Sequence, residues 1–520
     1  MLNAYNGINY RRFWIALLML LTASAYSQTQ SDLTRAIDNA LKASCLDHSQ
    51  TGVSIMAVPS GDVVYAYQSD KPLLPASVMK LVTTAAALDA ENLGPNYRFK
   101  TLFGYSGNRK NGTIQGDLII QGGGDPRLST EHLWTIANRI KGSGINEVTG
   151  NLVIDTHFFD GYERAPAELE VEHTQRPYDA KLSAFSLNFN TLAIHVQPGN
   201  AAGDPVKAWL DPAVPHIHLR NNAKTAQKIK RGRRSSLWAH RTETESGQVE
   251  IELRGLLLLR KKLLKKWSSF IPEITIYINI DNPTYYAAET FRALLLKSGI
   301  QIKGETQIVS TPINANKLYE HWSDNLSLIL KDLNAYSNNL TAEQIVKTIA
   351  AERYGSPGTH AEGIKLMAEF LRRHHINTDG VVIVDGSGLS RKNQMTTSTI
   401  TDLLVKMYRR FDIGPDYLAS LRVIGRKVNP KRLKESPARG KVRGKTGTLN
   451  GVSTLAGYVA SSKGSIFAFA FFLNNNRCGY SPADDIEDNI ITAIYTFADQ
   501  LPNSKTPSSL LKESKQIDDN

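Results

Sequence analysis

Strand-forming segments near both ends of the chain, separated by a long stretch of different character, most constrain the fold. Two segments early in the chain alternate in the manner of paired strands, and two further strand patterns lie late in the chain. They occupy residues 51–57, 62–68, 454–460 and 465–472. Helical patterns accompany them at residues 31–44, 75–88, 326–334, 341–353, 359–374, 398–409 and 484–501. A sheet whose strands come from both ends, with helices on its faces, predicts a discontinuous α/β domain that carries an inserted module.

The inserted stretch is rich in short strand patterns. Between residues 97 and 194 these are separated by Gly and Asn, and residues 195–280 are also strand-like. A helix is expected at 282–297, with Asp281 as a possible N-cap. The predicted divisions are 1–27 as a signal peptide, 28–92 with 311–501 as the discontinuous domain, 93–194 with 276–310 as a β-rich second domain, 195–275 as a nested basic third domain, and 502–520 as a flexible tail.

The amino terminus has the features of an export signal. Arg11 and Arg12 precede an apolar run over residues 13–23, and Ala25 and Ser27 occupy the positions that a signal peptidase reads. Cleavage before residue 28 and a periplasmic location are therefore expected. The alternative is an uncleaved amino-terminal anchor, although the apolar run is short for a membrane span.

Cysteine content and charge bound the remaining possibilities. The only cysteines are Cys45 and Cys478, whose pairing the sequence leaves open. The His and Cys spacings match no metal motif, so neither a metal nor another cofactor is predicted. The net charge of +12 is concentrated in two clusters: Lys224, Lys228, Lys230, Arg231, Arg233 and Arg234, and then Arg254, Arg260, Lys261, Lys262, Lys265 and Lys266. They indicate either a solvated basic lobe or a peripheral contact with an anionic membrane or wall polymer, whereas nucleic acid does not suit an exported chain without a binding motif.

The first candidate for chemistry is Ser77 with Lys80, at the predicted start of a helix. A separation of three residues places the two side chains on one helical face. A serine hydroxyl becomes a good nucleophile when a neighbouring base takes its proton, and a lysine can be that base when burial and nearby charge favour its neutral form. The alternative is an ordinary helix start followed by a surface lysine.

Two further motifs follow in the chain. Ser337 and Asn339 lie in a break between helices, where a hydroxyl could relay a proton and an amide could bind a substrate peptide, or where both could simply fill a turn. The run Lys445, Thr446, Gly447, Thr448 enters a strand pattern. Its ammonium and hydroxyls could hold a carboxylate, and Gly447 could leave room for a ligand backbone, or the run could be a polar approach to a strand.

The order of the three motifs resembles the set shared by penicillin-binding proteins and serine β-lactamases. Over nearly all of the expected mature chain, the sequence is similar to the D-alanyl-D-alanine carboxypeptidase/endopeptidase family of penicillin-binding protein 4, peptidase family S13. Three further segments, 122–126, 186–190 and 385–390, carry the resemblance, as does the long insertion between Lys80 and Ser337. The resemblance implies a transpeptidase-like fold with helices flanking an antiparallel sheet.

The resemblance also implies a role for each motif residue. Ser77 is expected to be the acyl-enzyme nucleophile, Lys80 its base and Ser337 a proton relay. Four residues are expected to bind substrate: Asn339, Lys445, Thr446 and Thr448. The main-chain N–H groups of Ser77 and Thr448 are expected to form the oxyanion hole.

The expected substrates are peptidoglycan peptides ending in D-Ala-D-Ala, with β-lactam antibiotics as covalent inhibitors. Segment 385–390 is either a structural loop near the site or a plain turn. A serine β-lactamase and a catalytically silent wall-binding protein are the alternative functions.

Overall fold

The structure is a computed structural model, and it describes residues 30–164, 174–229, 235–243, 248–259, 273–426 and 430–501. The predicted signal peptide, the predicted tail and most residues of the two basic clusters lie outside these ranges. No helix in the described ranges is long and apolar enough to cross a bilayer.

Ten α-helices occur in the described part of the chain. They are α1 (30–41), α2 (Lys80–Asp89), α3 (Thr130–Gly142), α4 (Pro283–Lys297), α5 (Leu326–Tyr336), α6 (Asn339–Tyr354), α7 (His360–Arg373), α8 (Thr397–Arg409), α9 (Gly414–Ser420) and α10 (Tyr480–Gln500).

The strands alternate with these helices along the chain. They are β1 (Thr51–Val58), β2 (Val63–Tyr67), β3 (Lys100–Tyr105), β4 (Asn108–Lys110), β5 (Thr113–Gln115), β6 (Leu118–Gln121), β7 (Glu147–Val148), β8 (Leu152–Asp155), β9 (Thr191–Gln197), β10 (Lys207–Asp211), β11 (Ile217–Asn221), β12 (Lys224–Ala226), β13 (Trp238–Glu243), β14 (Val249–Arg254), β15 (Leu256–Leu258), β16 (Ile274–Asn279), β17 (Gln301–Ile302), β18 (Thr306–Val309), β19 (Asn316–Trp322), β20 (Arg422–Val423), β21 (Val442–Leu449), β22 (Val452–Ala460) and β23 (Ile466–Leu473).

The chain divides into two compact units. The first comprises the described residues of Met1–Asp89, Leu330–Ser337 and Met367–Asn520, and the second those of Ala90–Ile329 and Asn338–Leu366. The sequence-based division into three domains stays a prediction.

The first unit is built on a six-stranded antiparallel sheet in the order β2-β1-β23-β22-β21-β20. Strand β23 is apolar on both faces, and helices cover both faces of the sheet there. Phe467, Phe469 and Phe471 point to the side covered by α1 and α10, where they join an apolar core. The small residues Ala468 and Ala470 alternate with them, which lets α8 pack closely on the other face. The predicted α/β class, with helices flanking an antiparallel sheet, is confirmed.

A disulfide joins the two ends of the first unit. Cys45, which precedes β1, is bonded to Cys478, which precedes α10, and their Cα atoms are 4.8 Å apart. The pairing that the sequence left open is therefore formed in the structure.

The second unit holds the β-rich insertion. Its largest sheet has the order β18-β8-β6-β3-β19, and four smaller sheets of two to four strands accompany it. Helices α3 and α4 pack together and contribute Leu133, Ile136, Phe291 and Leu295 to the apolar core of this unit.

Two details of the insertion differ from the sequence prediction. Helix α3 lies where only short strands were expected; its apolar residues recur at helical spacing after the N-cap Ser129. Helix α4 is capped by Asn282, whose side chain accepts a hydrogen bond from the main-chain N–H of Tyr285, and not by Asp281.

Candidate active site

Ser77 lies in a tight turn immediately before α2. The turn spans Ala76–Met79, and the main chain at Ala76 has a φ of 44°. The hydroxyl of Thr454, in β22, donates a 2.9 Å hydrogen bond to the carbonyl oxygen of Pro75, which holds the turn against the sheet. Ser77 itself is only partly buried.

Lys80 is the first residue of α2 and has no solvent-exposed surface. Its Nζ lies 3.0 Å from Ser77 Oγ and 2.5 Å from the carbonyl oxygen of Ser387. The main-chain oxygen therefore fixes the position of the amine beside the serine hydroxyl. This is the arrangement that proton transfer between the two groups requires.

The segment 385–390 supplies that carbonyl from an ordered loop. Asp385 is fully buried, and its two carboxylate oxygens each accept a 2.6 Å hydrogen bond, one from the N–H of Gly388 and one from the N–H of Ser390. Asn393 donates to the same carboxylate at 2.9 Å. Gly388 has a φ of 79°, and a Cβ there would lie 1.8 Å from the carbonyl oxygen of Ala76. The segment is thus packed on the Ser77 turn, and the interpretation as a plain turn is wrong.

Lys445 lies within β21 and contacts Ser337. Its Nζ donates to Ser337 Oγ at 2.8 Å and to the carbonyl oxygen of Thr446 at 2.6 Å. Ser337 follows α5 with a φ of 57°, a left-handed conformation that ends the helix. Burial lowers the pKa of Lys445 well below its usual range, and the charges of Lys80 and Arg422 lower it further. The structure therefore brings Ser337, Lys445 and Lys80 into one site.

Gly447 permits β21 to approach the Ser77 turn. A Cβ at this position would lie 2.7 Å from the main-chain nitrogen of Ser77, 2.3 Å from Thr454 Oγ1 and 3.0 Å from the Cβ of Ala76. The space beside Gly447 is therefore filled by the protein. The expectation that this glycine leaves room for a ligand backbone is wrong on this side of the strand, because its role is close packing.

The two threonines of this strand differ in their surroundings. Thr446 is partly buried, and its Oγ1 accepts a 2.8 Å hydrogen bond from the guanidinium of Arg422 in β20. Thr448 is exposed and pairs with Ser453 in the ladder between β21 and β22. Both side chains belong to one face of β21, since residues two apart in a strand share a face.

Asn339 belongs to the second unit, as the first residue of α6. Its side chain donates a 2.9 Å hydrogen bond to the carbonyl oxygen of Tyr178. Its neighbour Asn338 caps the helix by accepting from the N–H of Thr341. The part of the predicted set that the structure gathers in one unit is therefore Ser77, Lys80, Ser337, Lys445, Thr446 and Thr448.

Sequence reasoning missed two contributors to the site. The carbonyl of Ser387 is a main-chain group and has no signature of its own in a sequence. Arg422 lies in a short strand and belongs to none of the three sequence motifs. Its pairing with Gly444 brings its side chain beside Thr446.

Comparison with known proteins agrees with this geometry. Residues 33–500 match the D-Ala-D-Ala carboxypeptidase 3 (S13) family. The D-alanyl-D-alanine carboxypeptidase of Actinomadura sp. (strain R39) is 32% identical over 491 residues, which cover 92% of this chain and 87% of the relative. The D-alanyl-D-alanine carboxypeptidase DacB of Haemophilus influenzae is 25% identical over 466 residues, covering 87% of this chain and 89% of the relative.

Among solved structures, the fold is similar to that of penicillin-binding protein 4 (dacB) from Haemophilus influenzae. The TM-score is 0.73 at 23% identity, with 90% of this chain and 99% of the other covered. A second structure of that protein, in complex with a β-lactam, gives a TM-score of 0.69. The match over residues 33–500 and the similarity to the Actinomadura enzyme show that the chain belongs to the D-Ala-D-Ala carboxypeptidase 3 (S13) family, a family of serine-type carboxypeptidases.

Proposed function

We propose that this enzyme removes the terminal D-Ala from peptidoglycan peptides through an acyl-enzyme formed on Ser77. The observation that carries the proposal is the 3.0 Å contact between Ser77 Oγ and the buried Nζ of Lys80. Lys80 has no solvent-exposed surface, and such burial favours the neutral amine that a general base requires.

In the acylation step, Lys80 accepts the hydroxyl proton while Ser77 Oγ bonds to the carbonyl carbon of the penultimate D-Ala. The negative charge on the carbonyl oxygen is stabilised by the main-chain N–H groups of Ser77 and Thr448. The closeness of Gly447 to the Ser77 nitrogen supports this pairing, because it keeps the two main-chain segments together.

Breaking the peptide bond requires a proton on the leaving nitrogen. Ser337 delivers it, and its 2.8 Å contact with Lys445 supports this role because the ammonium can replace the proton that the hydroxyl gives up. The D-Ala amine leaves, an ester on Ser77 remains, and water hydrolyses that ester to free the shortened peptide.

The remaining site residues bind the substrate. Thr446 and Thr448 hold the terminal carboxylate, and Lys445 supplies positive charge beside them. Asn339 binds the acyl-side peptide; this assignment rests on the Ser337–Asn339 motif and the family membership.

The cellular setting belongs to the same proposal. Residues 1–27 export the chain to the periplasm, where it remodels the wall, and penicillin acylates and inhibits it at Ser77. The disulfide between Cys45 and Cys478 supports an oxidising compartment. The few residues of the two basic clusters that the structure describes, Lys224, Lys228 and Arg254, are exposed, which agrees with peripheral contact to an anionic wall polymer or membrane.

The first test is labelling with fluorescent penicillin followed by a chase. We expect stable labelling of the unchanged protein and none in Ser77→Ala. Ser49→Ala, at an exposed serine in another turn, is the matched control and keeps the label. Rapid loss of label would identify a β-lactamase, and absence of label from the folded protein would contradict an acyl-enzyme on Ser77.

A second measurement shows whether the enzyme cleaves the terminal D-Ala-D-Ala bond or a cross-link between peptides. Release of D-Ala from a pentapeptide is compared with cleavage of a cross-linked peptide dimer. Faster release of D-Ala supports the carboxypeptidase assignment, whereas faster dimer cleavage would make the enzyme an endopeptidase on the same site.

A further inference from the structure

We propose that Arg422 is a further substrate-binding residue, whose guanidinium pairs with the terminal carboxylate of the D-Ala-D-Ala peptide. The inference rests on the proposed function, because it names the cation that holds the substrate of that same site. Arg422 would then supply the positive charge beside the carboxylate that the proposed function assigns to Lys445.

The position of Arg422 is set by the edge of the sheet. Strand β20 extends the six-stranded sheet beyond β21, and Arg422 pairs with Gly444. Because paired residues and residues two apart along a strand share a face, Arg422 lies on the face of Thr446 and Thr448. Its Nη2 donates to Thr446 Oγ1 at 2.8 Å, and its Nη1 is 3.5 Å from the carbonyl oxygen of Ala335, near Ser337.

The guanidinium lacks a counter-ion in the described residues. Its hydrogen-bond acceptors are a hydroxyl and a carbonyl, and no described carboxylate lies within ion-pair distance. Asp484 acts on it only at longer range and is itself paired with Arg432 at 2.8 Å. A half-buried cation without an acid partner carries a desolvation cost, which an incoming carboxylate would offset.

The direction of the hydrogen bond prepares Thr446 for the same ligand. Since Thr446 Oγ1 accepts from Arg422, the threonine hydroxyl is free to donate its own proton. A carboxylate beside the pair can then accept one hydrogen bond from the guanidinium and one from the hydroxyl. Two such donors, both oriented before binding, suit the planar shape of a carboxylate.

Arg422 is also a better permanent anchor than Lys445. Burial and the neighbouring charges of Lys80 and Arg422 lower the pKa of Lys445 well below its usual range, so its charge depends on pH. A guanidinium keeps its charge throughout the range in which enzymes work. Arg422 can therefore hold the carboxylate while Lys445 exchanges protons with Ser337.

The test compares two substrates that differ only at the carboxylate. A diacylated L-Lys-D-Ala-D-Ala tripeptide and its C-terminal amide are given to the full chain and to Arg422→Gln, and release of D-Ala or D-Ala amide is measured. We expect the substitution to lower kcat/KM for the acid about 30-fold, mostly through KM, and to change the amide less than about threefold. Arg422→Lys should keep part of the preference for the acid.

Arg443→Gln is the matched control. Arg443 is also a partly buried arginine of this strand pair, and its guanidinium donates to the carbonyl oxygen of Leu421 at 3.1 Å. Its replacement should lower kcat/KM only weakly and by the same factor for the acid and the amide. Equal losses for acid and amide in Arg422→Gln, with Ser77 still labelled by penicillin, would overturn the assignment of Arg422 alone. Absence of Ser77 labelling in the unchanged protein would overturn the proposed function together with it.

Discussion

At the scale of single residues, the site depends on two glycines that let main-chain segments touch. Gly388 brings the 385–390 loop against the Ser77 turn, and Gly447 brings β21 against the same turn from another side. The distances leave no space for a methyl group at either position, so neither glycine can be replaced without moving the turn.

Gly447→Ala should therefore slow acylation while the chain still folds. The added Cβ would lie 2.7 Å from the Ser77 nitrogen and 2.3 Å from Thr454 Oγ1, which forces the turn away from the strand. We expect the rate of penicillin labelling to fall by about 100-fold or more, the size of effect found when one oxyanion donor is lost. The measurement is the second-order rate constant of labelling, with circular dichroism as the check of folding.

The control for this substitution is Gly142→Ala in α3. No atom lies within 4 Å of a Cβ built there, so the same chemical change should leave labelling unaffected. A Gly447→Ala protein that is labelled as fast as Gly142→Ala would contradict the role given to Gly447.

The candidate residues were predictable from the sequence because short motifs carry them. Ser77 and Lys80 are three residues apart on one helical turn, so local geometry alone predicts their contact. Arg422 is different: its partner Thr446 is distant in sequence, and the contact is made by strand pairing, which a single sequence does not specify.

At the scale of elements, α10 is held near the sheet by a cluster of charges around the buried Arg432 and Glu487. Arg432 contacts Asp484, Glu487 and Asp488 at 2.8, 3.0 and 2.7 Å, and Ser453 of β22 donates to Glu487 at 2.9 Å. One guanidinium cannot neutralise three carboxylates. Glu487 is the most buried of the three, so its neutral form is favoured most. Burial raises the pKa of Glu487 to about 7.

This shift predicts a pH dependence of stability. Because the pKa of Glu487 is higher in the folded protein than the ordinary glutamate value of 4.5, the folded state binds the proton more tightly. The contribution of this group to the free energy of unfolding is complete below about pH 4.5 and is lost as the pH rises to about 7. By linkage the loss is on the order of 3 kcal/mol.

Glu487→Gln removes this titrating group, so the free energy of unfolding should depend less on pH in the variant. The measurement is urea unfolding of both proteins at pH 5 and pH 7.5, and we expect the change between the two pH values to be smaller in the variant. Glu435→Gln, at an exposed glutamate, is the control. Parallel changes in all three proteins would show that another group titrates.

Element prediction succeeded and failed for identifiable reasons. Strands β1 and β2 were recognised from alternation along the sequence, whereas β22 and β23 are buried on both faces and were recognised as short strand-like runs late in the chain. Helix α3 was missed because its apolar residues lie within a Gly-rich, strand-like region that suggested a different period. The N-cap of α4 was placed one residue early, since Asp281 and Asn282 are both good caps and only the main-chain angles distinguish them.

At the scale of the whole molecule, the first unit is closed by the bond between Cys45 and Cys478, 433 residues apart in sequence. Cross-linking positions so far apart restricts the unfolded chain strongly. The double variant Cys45→Ser, Cys478→Ser should lose about 2–4 kcal/mol of unfolding free energy, measured by urea denaturation. Reducing agent should destabilise the unchanged protein and leave the double variant unaffected. Equal urea-denaturation midpoints for the two proteins without reductant would contradict a stabilising disulfide.

The pairing of β1 with β23 has a consequence for the time at which activity appears. The chain emerges from the ribosome amino terminus first, so Ser77 is made long before Lys445 and before the strands that support it. A chain interrupted anywhere before β21 holds Ser77 and Lys80 but lacks the strand that carries Lys445, Thr446 and Thr448. Under the proposed function, acylation at Ser77 is therefore expected only in chains that extend through β21.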